Sequence, residues 1–144
     1  MARMTTTMPD DFLLALSRLE SRTDEIVPKV LAAGGEVVLE HVRIRLRAVI
    51  GKGNKRPSRS TGELVAALGV TPAKMNRKGD FDVKVGLAEP RKGQGDSNAK
   101  LANILEHGKH GQPPRPFLKP AKIAARRPAI AAMTAKLEEE IRGL

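Results

Sequence analysis

The sequence contains no cysteine, tryptophan or tyrosine, and its aromatic residues are three phenylalanines among 144 residues. Without cysteine, the chain forms no disulfide, thiolate zinc site, iron–sulfur cluster or cysteine nucleophile. A chain without disulfides is typical of a protein that folds in the cytosol. The scarcity of aromatic residues argues against an immunoglobulin-type sandwich, whose core usually contains tryptophan and tyrosine.

Long apolar runs are missing as well. No stretch approaches the roughly 18 consecutive apolar residues that are needed to cross a bilayer. The short apolar run 12–16 follows Asp10 and Asp11 and does not have the pattern of a secretory signal. We therefore expect no membrane partner.

Positive charge is abundant, and most of its excess lies in the middle of the chain. The formal net charge is +10. Residues 1–51 are balanced and residues 129–144 have a net charge of −1, so residues 52–128 carry a net charge of +11. Such an excess predicts an anionic partner, either nucleic acid or an acidic protein surface.

The spacing of apolar residues predicts a long first helix after a flexible arm of residues 1–9. Apolar residues at positions 12, 16, 19, 26, 30 and 37 repeat at spacings of three, four and seven. Pro28 and the pair Gly34–Gly35 lie inside this run, at a cost of about 3 kcal/mol for proline and about 1 kcal/mol for each glycine. We expect either one kinked helix over residues 10–50 or two helices that meet near residue 28.

An alternating pattern predicts one antiparallel hairpin after the first helix. Its strands are expected over residues 67–74 and 81–87, because apolar residues at 81, 83, 85 and 87 alternate with polar residues or glycine. The segment 76–80 supplies the turn, with Gly79 available for a positive φ. A lone hairpin is marginal in water, so this one must pack on helices or on another chain.

Two further helices complete the predicted fold. A short helix over 98–107 is expected to stop at Gly108, and a final helix runs from Phe117 to about Arg142, with Pro128 as a kink. The fold class is α+β, with a long N-terminal helix, a small antiparallel hairpin, a short helix and a C-terminal helix. We expect residues 10–144 to form one domain.

The residues offer no catalytic or metal-binding constellation. Glu106, His107 and His110 are close in sequence, but Gly108 and Gly111 interrupt the helix that would bring two histidines to one face. No serine, histidine and carboxylate stand in a pattern that suggests a pocket with paired acid–base groups. We therefore predict no catalytic residue, no metal and no cofactor, and we do not expect an enzyme.

Eight basic residues lie in predicted loops and could form a basic rim along one edge of the molecule. The alternative is that they only keep the chain soluble. Because no aromatic side chains are available to stack on bases, any contact with nucleic acid is expected to be non-specific. These residues are Lys52, Lys55, Arg56, Arg59, Arg77, Lys78, Arg91 and Lys92.

Two stretches of the sequence resemble a known family. Thr61-Gly62-Glu63-Leu64 follows the first helix, and Leu105-Glu106-His107-Gly108 is followed by Arg115-Pro116-Phe117-Leu118-Lys119-Pro120-Ala121. The pattern is similar to the neck, or tail-completion, family of long-tailed bacteriophages, in which an LExG motif precedes an RPFLxPA motif that opens the last helix. The order of elements agrees over roughly residues 10–142. The sequence departs from the family at His107 and Lys109, where an aromatic residue and a threonine are usual.

The resemblance implies a structural virion protein at the junction of head and tail. Subunits would form a homo-oligomeric ring, a hexamer, around the DNA channel, between the head-closure or connector proteins and the tail tube. Assembly in the host cytoplasm would bring the protein to the virion neck. Two alternatives stay open: a tail-terminator ring that caps the tail tube, and a small basic protein that binds DNA non-specifically. The motif residues implied at subunit or partner contacts are Thr61, Gly62, Leu64, Glu106, Gly108, Arg115, Pro116 and Phe117.

Physical chemistry gives the second motif a role without the family. Pro116 fixes its own φ and favours an extended Arg115, and Phe117 is expected to anchor the final helix to the core. We hypothesise that Glu106 and Arg115 form an ion pair across the irregular segment between the helices, either within one subunit or between neighbouring subunits. The open edge of the hairpin is expected to join neighbouring subunits, because such an edge is a hazard in a monomer.

Overall fold

The computed structural model describes residues 10–50, 63–88 and 98–144. Within these residues the chain forms five helices and four short strands, so the predicted α+β class is confirmed. The helices are α1 (Asp10–Ser21), α2 (Thr23–Val49), α3 (Glu63–Ala66), α4 (Asn98–His107) and α5 (Leu118–Arg142). The strands are β1 (Leu68–Val70), β2 (Lys74–Met75), β3 (Phe81–Asp82) and β4 (Val85–Leu87). The arm predicted for residues 1–9 lies outside the described residues.

The first helical run is divided at Arg22, so the predicted junction near residue 28 is wrong. Arg22 leaves the helical conformation, with φ −110° and ψ 9°. On either side of it, the hydroxyl of Ser21 donates to the Arg18 carbonyl at 2.9 Å and the hydroxyl of Thr23 donates to the Leu19 carbonyl at 3.0 Å. Hydroxyl side chains that bind nearby carbonyls compete with the regular helical bonds, which explains the break at this position.

Pro28 is accommodated inside α2, where it is the sixth residue. Proline lacks an N–H, so the carbonyl four residues earlier, in Asp24, loses its helical donor. Asp24 is exposed, and water can bind its carbonyl. The helix therefore continues to Val49 despite the proline.

Helices α2 and α5 run antiparallel and form the centre of the molecule. At one end, the Lys29 Nζ lies 3.2 Å from a carboxylate oxygen of Glu140. At the other end, Leu46 and Phe117 are fully buried in one apolar cluster, whose other members are Leu39, Val42, Leu68, Ala102 and Ala121. We call the end around Leu46 and Phe117 the closed end, and the end around Lys29 and Glu140 the open end.

The two adjacent glycines of α2 explain how close its neighbours come. A Cβ on Gly34 would lie 2.6 Å from the Met133 sulfur of α5, and a Cβ on Gly35 would lie 2.8 Å from a methyl carbon of Val70 in β1. Both contacts are shorter than real Cβ contacts, so each glycine lets another element approach the α2 backbone. The intrinsic cost of glycine in a helix is offset here by packing on two sides.

The predicted hairpin is present, but it consists of two short ladders rather than two continuous strands. Leu68 pairs with Leu87 and Val70 with Val85, whereas Lys74 pairs with Asp82, so the register changes by one residue between the ladders. The extra residue lies in the segment 71–73, which has the character of a β-bulge. Pro72 in this segment has no N–H to donate to a ladder. The tip is a turn in which Gly79 has a φ of +87°, as predicted.

The hairpin packs on α2, and α3 and α4 lie against each other near the closed end. Ala102 of α4 belongs to the buried cluster, and Leu64 and Leu105 pack against it. The side-chain amide of Asn98 donates to the carbonyl of Ala88 at 3.0 Å. This bond connects the start of α4 to the chain just after β4.

Candidate functional site

The LExG motif (Leu105–Gly108) and the RPFLxPA motif (Arg115–Ala121) lie together at the closed end. Helix α4 ends at His107, and Gly108 follows with a φ of +76°, which L side chains rarely adopt. The Gly108 N–H donates to the carbonyl of Ile104 at 2.7 Å. A Cβ on Gly108 would lie 2.8 Å from the Gln112 carbonyl oxygen. Glycine is therefore required here for both its conformation and its small size.

The carboxylate of Glu106 caps the start of α5. Its Oε2 accepts the backbone N–H groups of Phe117 and Leu118, both at 2.8 Å, and its Oε1 accepts that of Lys119 at 3.0 Å. The first N–H groups of a helix have no intrahelical acceptor, and the helix dipole favours negative charge at this end. Phe117 offers no side-chain cap of its own. A side chain of α4 thus supplies the cap that α5 lacks.

These bonds also set the ionisation of Glu106. Partial burial raises the pKa of the carboxyl, but the N–H donors of Phe117, Leu118 and Lys119 favour the charged form and outweigh it. The pKa of Glu106 consequently lies below its ordinary value. The cap is therefore charged at neutral pH.

The segment before α5 is anchored at both of its ends. The Arg115 N–H donates to the Leu105 carbonyl at 2.6 Å, and the Phe117 side chain is completely buried, as predicted for an anchor. Pro116 between them is exposed. The ion pair proposed between the side chains of Glu106 and Arg115 stays a prediction.

The structure describes only part of the other predicted contact residues. Leu64 lies in α3, half-buried against the closed-end cluster. Thr61 and Gly62 lie outside the described residues. The same holds for six members of the predicted basic rim: Lys52, Lys55, Arg56, Arg59, Arg91 and Lys92.

Arg77 and Lys78, the two rim residues that are described, lie exposed at the hairpin tip. The Asn76 side chain shapes this turn, since its Oδ1 accepts the N–H of Lys78 at 2.8 Å and that of Asp80 at 3.0 Å. The Asn76 N–H donates to the Asp80 carbonyl at 2.7 Å. The tip therefore presents two cations on a turn that is held by its own hydrogen bonds.

A second group of cations was missed by sequence reasoning because it lies on helices and not in loops. At the closed end, the last turns of α2 and the first half of α5 bring together seven basic residues. Lys119, Lys122 and Arg126 are spaced three and four apart, so they share one face of α5. This spacing was a readable signal, but the antiparallel pairing of α2 and α5 was needed to bring the two basic segments together. The seven residues are Arg43, Arg45, Arg47, Lys119, Lys122, Arg126 and Arg127.

The open end has the opposite charge. Helix α1 and the first turns of α2 carry Asp10, Asp11, Glu20, Asp24 and Glu25, and α5 ends with a run of three glutamates at 138–140. Arg22 and Lys29 bind Glu25 at 2.9 and 3.2 Å, and hydrogen bonds from these two residues lower the pKa of Glu25 to about 2. Five cations (Arg18, Arg22, Lys29, Lys136 and Arg142) face these eight carboxylates, so the open end has a net negative charge and the charge is polarised along the α2–α5 pair.

An open apolar cleft of about 310 Å³ lies between α1 and the last turns of α5. It is lined by Ala15, Leu16, Arg18, Leu19, Ile141 and Leu144. These side chains include one cation and no acid–base pair, so the chemistry that the cleft offers is apolar contact. Across the part of the chain that the structure describes, no group of three or more histidine or acidic side chains could hold a metal ion.

No family model, curated protein or solved structure matches this chain. Among the described helices, none is both long enough and apolar enough to span a bilayer.

Proposed function

We propose that this chain is a structural virion protein of a tailed bacteriophage or a phage-like particle, which forms a ring at the head–tail junction and joins the tail to the head around the DNA channel. The proposal rests on the resemblance of the stretches 61–64 and 105–121 to the neck, or tail-completion, family of long-tailed bacteriophages. Its mechanism is complementarity of shape and charge between subunits and with neighbouring rings, without a chemical step.

The observation that carries the proposal is the physical coupling of the two motifs. Glu106 of the LExG motif caps the helix that the RPFLxPA motif opens, and Phe117 of the RPFLxPA motif is fully buried. A loop between two helices that is tied in this way keeps its shape. This supports a structural role for the motif residues, and a defined loop shape is what a subunit contact requires.

The open hairpin edges also support an assembling protein. Each described ladder has two strands, so the outer edges of β1 and β4 have no strand neighbour among the described residues. Natural proteins usually blunt or cover such edges, because unpaired N–H and C=O groups invite pairing with another chain. A ring would cover them with the next subunit.

The proposal is tested in the particle-producing host by deleting the gene and examining lysates by electron microscopy. A joining ring predicts filled heads and separate tails of normal length, with particles restored by the wild-type protein. Tails of uncontrolled length would instead identify a tail terminator. Intact particles without the protein, or virions with no density for it at the collar, would contradict both.

A DNA-binding protein remains the second candidate, and the basic closed end favours it. Seven cations of α2 and α5 lie there, and the nearby carboxylates are Glu40, which already pairs with Arg43 at 2.6 Å, and Glu106, which caps α5. Non-specific DNA binding of this kind must weaken steeply as salt is raised, because counterions are released from the phosphates. Titration of duplex DNA over a range of salt concentrations distinguishes the candidates: a joint that binds only proteins shows no such binding.

A further inference from the structure

Helix α5 has a second apolar face that nothing covers within the described residues. Ala121, Ala125 and Ala129 are buried against α2. On the opposite side, four large apolar side chains repeat at spacings of seven, seven and four, and all are exposed. At 1.5 Å per residue they form a stripe about 27 Å long. The stripe consists of Ile123, Ile130, Leu137 and Ile141, and Ile123 is 70% exposed.

Cations flank the first half of this stripe. Lys119, Lys122, Arg126 and Arg127 are exposed beside Ile123 and Ile130. The first 20 residues of α5, from 118 to 137, contain no carboxylate. A partner that covers this part of α5 must therefore offer apolar side chains together with negative charge.

Helix α1 has that chemistry. Leu13 and Leu14 are 48% and 53% exposed, and the same helix carries three exposed carboxylates, Asp10, Asp11 and Glu20, against one cation, Arg18. Among the described side chains of α1, Leu19 alone is half-buried and the others are exposed. An isolated helix of 12 residues is marginal in water, so α1 gains stability from a partner that covers it.

The α1 of the same chain reaches only the last residue of the stripe, Ile141. It lies beside the last turns of α5, where Leu16 and Leu19 share the cleft with Ile141 and Leu144. The basic part of the stripe lies about three helical turns away at Ile130 and about five at Ile123. A second copy of the chain is therefore needed to bring an α1 there.

We propose that α1 of one copy packs on the outward face of α5 of the next copy, with Leu13 and Leu14 against Ile130 and with its carboxylates on the flanking cations. The inference deepens the proposed ring and rests on it for its setting. The lengths agree, since α1 spans about 18 Å and the stripe from Ile123 to Leu137 about 21 Å. Two different patches make a head-to-tail contact, which either closes into a ring or continues as a filament.

The absence of cysteine makes a direct test possible, because an introduced thiol has no background. Leu14→Cys and Ile130→Cys are prepared as separate single variants, mixed and oxidised with diamide. A head-to-tail contact predicts a disulfide-linked dimer in the mixture, whereas Ile130→Cys alone links much less. The matched control is Ile44→Cys on α2, since Ile44 is 54% exposed and Ile130 is 55% exposed. Mixed with Leu14→Cys, it is expected to stay monomeric.

Three results would overturn the contact. Equal linking of Leu14→Cys to Ile130→Cys and to Ile44→Cys would mean random collision. Efficient linking of Ile130→Cys to itself would mean that α5 packs on α5 about a two-fold axis. No linking in any mixture would mean that copies do not meet at this face.

Charge reversal gives a second measurement. Arg126→Glu with Arg127→Glu is expected to weaken self-association by at least about tenfold, the effect of a residue pair that matters at an interface. Asp10→Lys with Asp11→Lys in the partner copy restores it if the two patches meet. If the mixture of the two charge-reversed variants associates as weakly as either variant alone, the contact is contradicted.

The failure of this contact and the failure of the ring are distinguishable. The double variant Leu14→Cys/Ile130→Cys gives a ladder of linked species. A series of cross-linked oligomers that stops at one size supports both the contact and the ring. A series without an upper limit supports the contact but contradicts a closed ring. A discrete oligomer in native mass spectrometry without any Leu14–Ile130 linkage keeps the ring and removes the contact.

Discussion

The two ends of the α2–α5 pair are held together by different forces. At the closed end, Leu46, Phe117 and Ala121 are fully buried, and the hairpin, α3 and α4 surround them. At the open end, Ile26 is buried, but beyond it a series of ion pairs connects Arg22, Glu25, Lys29, Glu140 and Lys136. Apolar side chains nearby, including Leu16 and Ile141, remain exposed.

The difference shows which end a single chain stabilises with its own apolar contacts. Burial of apolar side chains is the main stabilising term in a folded domain, whereas exposed ion pairs contribute little. The closed end therefore holds the fold, and the open end keeps both charge and apolar surface available. The apolar core is therefore concentrated at the closed end, and the open end leaves large apolar side chains exposed beside its ion pairs.

Truncation of the buried anchor tests this comparison most severely. Phe117→Ala is expected to lower the free energy of unfolding by about 3–5 kcal/mol, because it leaves a cavity beside Leu46. Chemical denaturation followed by circular dichroism measures the loss. Met75→Ala, at a side chain that is 55% exposed, is the control and is expected to change stability by less than about 0.5 kcal/mol. A similar loss in both variants would mean that burial does not distinguish the closed end.

Removal of the cap of α5 is expected to have the next largest effect. Glu106→Ala leaves the first N–H groups of α5 to water and is expected to cost about 1–2 kcal/mol at neutral pH. Glu106→Gln keeps one oxygen acceptor but loses the charge, so it should cost less than the alanine variant. Equal stability of all three proteins would contradict the capping role.

The pH dependence of this effect has a definite sign. The pKa of Glu106 is lower in the folded protein than its ordinary value of 4.5, so its contribution is fully present above that value. As the pH falls through the folded pKa, the carboxylate is protonated and the contribution is lost. The stability difference between wild type and Glu106→Gln should therefore shrink below about pH 4.5. A difference that grows on acidification would have the wrong sign.

Alanine at the two adjacent glycines of α2, Gly34 and Gly35, is expected to change the free energy of unfolding by smaller amounts that differ between the two positions. Gly35→Ala forces a methyl group against the stiff side chains of Val70 and Val83, so we expect a net loss of about 1 kcal/mol after the gain in helix propensity. Gly34→Ala meets the flexible end of Met133, which can turn away, so stability should stay level or rise. Thermal unfolding of the two variants measures this difference, and a reversed order would contradict the packing described.

The smallest expected effect concerns the ion pairs of the open end. The bond from Arg22 is the main reason that the pKa of Glu25 is about 2, with the bond from Lys29 next. NMR titration should show this pKa rising towards its ordinary value in Arg22→Gln, and rising less in Lys29→Gln. Because the group is exposed, added salt should also raise the pKa. If neither variant changes the pKa of Glu25, Arg22 and Lys29 do not form these ion pairs with it.

Local signals were sufficient for most of the fold. The helix over 98–107, its end at Gly108, the turn with Gly79 and the final helix to Arg142 were all predicted, because spacing and glycine position act over a few residues. Phe117 was predicted as an anchor because aromatic residues are so few. The α+β class followed from these elements.

Features that depend on particular side-chain hydrogen bonds or on contacts distant in sequence were missed or misplaced. Pro28 attracted the predicted break, but the side chains of Ser21 and Thr23 produce it six residues earlier. Nothing local in the sequence indicated that Glu106 would cap α5 across eleven residues, or that Gly34 and Gly35 face two different elements. The closed end is basic because α2 and α5 each carry a positive segment and their antiparallel packing places both segments at that end.

The change of register in the hairpin has a consequence for how the molecule can vary. The ladder at the tip is out of register with the ladder that packs on α2, and the segment 71–73, which contains Pro72, separates the two. A new tip of different length or charge can be grafted beyond residue 74 without disturbing the pairing of Val70 with Val85. We therefore expect the tip to accept substitutions and insertions more readily than the ladder that packs on α2.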